Sequence, residues 1–219
     1  MRRGTAARRR RLAAVAGIAG PVLFTLAWVA GSLRQGGHGA AQVQLSGLAA
    51  EDAREPQLMI AAFVLLGGCS IGFGAALRWV TAPRTAGAWL VMTAGAATAA
   101  AGVFRRDHLL LTGPGFAGES WHNQVHDVVS AVAYGAMVAA PLALGHELRG
   151  KPGWAPVARA VQALALASLA VLAVFASRAA QPWDGVLQRV AVTLALAAEV
   201  LLAARMLTLP PEDARPVSG

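Results

Sequence analysis

The chain has 219 residues, 56% of them hydrophobic and only 14% charged, and a formal net charge of +8. A single soluble domain of this length cannot hide so much apolar surface, which excludes an ordinary water-soluble globule and leaves a bilayer as the solvent for the surplus. The basicity would suit nucleic acid in a soluble protein, but here it follows the membrane's own charge rule, so no nucleic-acid partner is expected.

Apolar runs of about 20 residues can cross a hydrocarbon core roughly 30 Å thick. Six occur, near 12–33, 57–79, 85–104, 123–146, 156–178 and 186–207. They predict an all-α, polytopic bundle of six transmembrane helices, with one membrane domain over 12–207. Residues 1–11, MRRGTAARRRR, read as a basic tail. The first run is longer than a signal-peptide core and lacks a cleavage site, so it reads as a retained span. The next connection, about 34–56, contains QVQLSGLAAEDAREP. There Val43, Leu45 and Leu48 predict the apolar edge of a short helix lying on the membrane surface.

Cys69, the only cysteine, falls in the second run and reads as a small core residue. The third run contains TAGAATAAAG (93–102), whose small side chains let helices approach closely. The segment RRDHLLLTGPGFAGESWH follows (105–122). Its glycine-rich 113–118 stretch lacks the Lys-Ser/Thr of a phosphate loop, and GESWH lacks the second glycine of a serine-hydrolase elbow; both read as loop, with Glu119 solvated. His38 and His108 read as solvated loop residues, and His146 as a group at a helix end. The third connection on this side is RAAQPWDG (178–185), and the tail 208–219 reads as disordered.

With the N-terminus cytoplasmic, 13 of the 19 basic residues fall on the inner side. That bias predicts a multi-pass protein of the cell membrane with both termini cytoplasmic. The N-terminal arginines then rest on anionic lipid headgroups. Trp79, Trp89, Trp121, Trp154 and Trp183 fall at span ends, the interfacial position that indole favours. Glu199 is the one deep carboxylate; it reads as a neutral acid, as part of a proton path or, the expectation preferred, as paired with Arg159 or Arg205 near the inner face.

The chemistry concentrates at the outer end of the fourth span, in WHNQVHDVVS (121–130). Helical spacing puts His122, His126 and Ser130 on one stripe, with Asp127 beside it. Asp107 and Arg105 close the third span, and Asp184 and Arg189 open the sixth, at similar depth. Ionic groups near lipid face the bundle interior and pair with one another, so these residues predict a cluster at the mouth of spans three, four and six. Two further readings stand beside a structural ion network. One is a site for a lipid or small amphiphile. The other is a metal-dependent hydrolase, in which His122, His126 and Asp107 hold zinc with one position open and Ser130 assists catalysis beside Asp107 and His126. That set resembles the His, Asp and Ser pattern of the intramembrane hydrolases that include alkaline ceramidases, although a second HxxxH is lacking here. Haem ranks low, because the other five spans have no internal histidine.

GPVLFTLAW (20–28), SGLAA (46–50), GVFRRD (102–107), HD (126–127) and WDGVLQR (183–189) occur in an order that resembles a bacterial six-helix membrane family, domain of unknown function 998. The resemblance implies six spans and polar motif positions at Ser46, Asp107, His126 and Arg189; it implies no reaction. Gly47 stands here where that family often has an acidic residue.

Overall fold

The computed structural model describes residues 2–37, 39–110, 120–180 and 183–209. The expectations for His38, the 113–118 stretch, Glu119 and the tail from Pro210 lie outside them. Six helices follow in chain order: α1 (Arg2–Arg34), α2 (Pro56–Thr81), α3 (Ala86–Val103), α4 (Trp121–Leu148), α5 (Ala155–Ser177) and α6 (Asp184–Thr208). All six are long and apolar enough to cross a membrane. The protein is therefore an all-α, multi-pass membrane protein, and apart from α1 each helix begins and ends within about two residues of an apolar run.

The helix α1 begins in the arginine tail, because the strong helix formers Ala and Arg outweigh Gly4 and Thr5 there. Proline opens α2 and sits in the first turn of α5, where its missing N–H leaves no gap. Ser120 caps α4, its hydroxyl accepting from the Asn123 N–H at 3.2 Å.

Each helix packs on the next, and α6 returns to α1, so the bundle is a closed ring with α4 touching α6 across the middle. Close approach of α2 and α3 depends on glycine: a Cβ on Gly95 would stand 2.7 Å from the Gly67 carbonyl oxygen and 3.0 Å from the Ile71 nitrogen. One buried cluster, with Phe73, Leu77, Leu144 and Leu202, fills the end that holds the N-terminus and the short turns. A second, with Phe24, Met59, Phe63 and Leu66, fills the long-loop end. Large apolar side chains such as Leu12, Leu26, Val128 and Leu166 stay exposed on the outside of the ring, as lipid contact requires.

Two sequence expectations are corrected. Trp79, Trp89, Trp121 and Trp183 are exposed at helix ends, but Trp154 is 1% exposed. As the residue before α5 it turns inward and packs with the first cluster, so it is a core residue and no interfacial anchor. The stretch with Val43, Leu45 and Leu48 does not lie on the surface either. Every residue from 43 to 50 is buried, around a single 3-10 turn at Gly47–Ala49. A sequence pattern shows which residues are apolar but not which surface they seek, and here the open mouth of the bundle accepts them.

Candidate functional site at the long-loop end

A buried loop carries backbone N–H and C=O groups that must find partners inside the protein. For residues 40–50, side chains from the helices supply many of them. The Arg189 guanidinium of α6 donates from Nη1 to the carbonyls of Ala40 (2.8 Å), Val43 (2.6 Å) and Gly185 (2.9 Å), and from Nη2 to the Ser32 hydroxyl (2.9 Å). It also lies 5.3 Å above the Trp28 ring. Next to it, the Gln188 side chain accepts from the Leu45 N–H and donates to the Tyr134 hydroxyl of α4. The Gly185 N–H donates to the Ala41 carbonyl at 2.8 Å. A side chain at 185 would collide with this strap, since its Cβ would meet the carbonyl oxygens of Ala40, Val43 and Ala41. The entry half of the loop is thus latched to α6.

The exit half is tied to the segment after α3. The Glu51 N–H donates to the Arg106 carbonyl (3.1 Å), and the Asp52 carboxylate accepts from the Leu109 N–H (2.6 Å). Arg105 and Glu51 form an exposed ion pair at 3.4 Å. Arg106 points the other way: it is 3% exposed and donates to the Gln44 side chain at 3.0 Å.

Asp107 then joins this segment to α4. Its oxygens accept from the Ser120 N–H (2.8 Å) and hydroxyl (2.6 Å), while Asn123 accepts from its own N–H (3.1 Å). Partial burial pushes the Asp107 carboxyl up, but the Ser120 hydroxyl and N–H, with His122 and His108 nearby, outweigh it and hold the carboxyl below its ordinary range.

The histidines of the stripe separate. The His122 Nδ1 lies 3.0 Å from the Ser120 hydroxyl, 3.2 Å from the Arg105 carbonyl and 3.5 Å from the Asp107 carboxylate. His126, only 2% exposed, turns its Nδ1 onto the carbonyls of Ala101 (3.0 Å) and Phe104 (2.7 Å) at the end of α3. A carbonyl only accepts, so the two contacts of His126 place a proton on its Nδ1 and the ring's lone pair on Nε2. Among the described residues, no three His, Cys, Asp or Glu groups converge as metal ligands would. Asp127 is exposed and accepts from Asn123 at 3.3 Å, and Asp184 lies 3.9 Å from Arg178 at the start of α6. The predicted residues therefore fall into two groups, one of Asp107, His122, His126 and Asp127 around α4, and one of Arg189 and Asp184 on α6.

Ser46 and Ser130 meet elsewhere, in the wall of a cavity of about 30 Å³ beneath the loop that Thr98 and Tyr134 also line. The Thr98 hydroxyl is buried there without a hydrogen-bond partner. Sequence reading did not single out Gln44, Thr98, Arg106, Ser120, Asn123, Tyr134 or Gln188. The adjacency of Gln188 to Arg189 was the one available signal. Glu199 is also corrected: it meets the Ser70 hydroxyl at 3.0 Å, whereas Arg159 is exposed and Arg205 turns to Thr208.

Comparison with curated proteins and with solved structures finds no match. The family described as protein of unknown function (DUF998) matches residues 18–205, a span that takes in α2 to α5, most of α6, the second half of α1, the buried loop and the residues latching it. With most of its length matched, the chain belongs to the DUF998 family.

Proposed function

We propose that the protein is a non-catalytic membrane module that holds a small polar solute in the cavity beneath the 40–50 loop, with that loop as a latched lid facing the outside of the cell. The observation that carries this reading is how the motif residues are used. Arg189 and His126 direct their donors to backbone carbonyls, and Asp107 accepts from the start of α4. Ser46 is left lining the cavity with Thr98, Ser130 and Tyr134. A cavity of about 30 Å³ has room for about two waters or a solute of that size, well below the several hundred Å³ that a lipid-sized ligand needs. In the same reading the protein sits in the cell membrane with both termini cytoplasmic, and the N-terminal arginines lie on anionic headgroups.

The test is access to Ser46. Ser46→Cys in a Cys69→Ser background should react slowly with a membrane-impermeant maleimide while Arg189 is intact, and quickly once Arg189→Gln is added. Full labelling with Arg189 intact would overturn the lid.

The second reading is a metal-dependent hydrolase of a lipid or other amphiphile, with His122, His126 and Asp107 as zinc ligands and Ser130 assisting. It is favoured by the close approach of His122, Asp107 and Ser120. Bound zinc that is lost in His126→Ala would replace the lid reading with this one.

A further inference from the structure

Glu199 stands about 22 Å along α6 from Asp184 and about 14 Å from Thr208 at the usual helical rise. The Ser70 hydroxyl of α2 lies 3.0 and 3.1 Å from its two oxygens. Among the described residues no ion pair includes it. The two side chains open on a cavity of about 30 Å³, and no other polar side chain lines it. Cys69 of α2 is the other titratable group near Glu199; the walls from α3, α4 and α6 contribute none. An ionised carboxylate without a counter-charge in such a setting is strongly unfavourable, whereas a neutral acid can share hydrogen bonds with one hydroxyl and water.

Met137 lines this cavity and also the one beneath the loop. The two therefore adjoin along the bundle at a shared wall that includes this flexible thioether. The wall of the outer one is mostly apolar but includes Ser46, Thr98, Ser130 and Tyr134, and the Thr98 hydroxyl is buried without a hydrogen-bond partner, which is where water would bind.

We propose that Glu199 is a proton-binding site in the bundle interior, loaded from the long-loop side through water in the two cavities, with Met137 as the barrier between them. Hydronium passes a proton to the carboxylate and leaves water; release is the reverse. The site goes beyond the lid reading and has its own readout, so either can fail alone.

Infrared spectra of the purified full-length protein test it. At neutral pH a protonated-carboxyl C=O band should be present, be lost in Glu199→Gln, and move in Ser70→Ala, which keeps the carboxyl. If Glu199→Gln does not fold, Ser70→Ala still identifies the band. On transfer to D2O the band should shift, more slowly in Met137→Phe, which fills the space between the cavities. Absence of the band at neutral pH overturns the site. An exchange rate unchanged by Met137→Phe overturns the route from the long-loop side.

Discussion

Asp107 and Arg189 carry opposite charges into the long-loop end, yet the hydrogen bonds of each go to uncharged partners. Asp107 accepts from Ser120 and Arg189 donates to carbonyls, so both act as ties between backbone segments. The Asp107 carboxyl holds its proton more weakly in the folded chain than in the unfolded one. The unfolded state therefore binds more protons as acid is added, and the stabilisation is complete above the ordinary carboxylate range near pH 4 and lost as pH falls below it. Asp107→Asn, which removes one acceptor, should cost about 1 kcal/mol at pH 6. The melting difference from wild type should shrink near pH 3; a difference independent of pH would show that the charge of Asp107 does not matter. Gly185 belongs to the same scale, because the strap 40–43 crosses where any side chain would stand.

Among elements, α2 and α3 have the closest backbone contact at Gly67 and Gly95. Lipid is as apolar as the helix surfaces, so transmembrane helices hold together by packing rather than by expulsion of water. Gly95→Ala should therefore force α3 outward and cost about 1–3 kcal/mol, read as a lower melting temperature in detergent; an unchanged melting temperature would mean the contact is slack. At the short-turn end, the Glu147 carboxylate of α4 accepts from the Gly87 N–H at 3.0 Å, capping α3 from a neighbouring helix. The sequence offered no hint of that cap, since the two residues lie 60 apart in the chain. The loop 40–50 is the third case: it acts as an element although it has almost no regular structure.

For the molecule as a whole, the ring of six helices puts all long connections at one end and the termini with the short turns at the other. The excess of basic residues on the terminal side predicts that this side is cytoplasmic. In a Cys69→Ser background, Gly39→Cys should react with an impermeant maleimide on intact cells and Gly150→Cys only after lysis, both positions being exposed. The reverse pattern would invert the protein.

Hydropathy alone determined the class and the six membrane-spanning helices, because a bilayer imposes one length and one polarity on whatever crosses it. It also located the polar residues at one end of the bundle. Their partners were decided only in three dimensions. His126 turns its Nδ1 to the carbonyls of α3, Arg106 rather than Arg105 goes inward, Trp154 joins the core, and Arg189 finds a loop about 150 residues earlier in the chain. The reason is physical: a charged or amide side chain takes whichever unsatisfied backbone group the packed helices leave within reach, and which group that is depends on tertiary contacts and not on the spacing of residues along one helix.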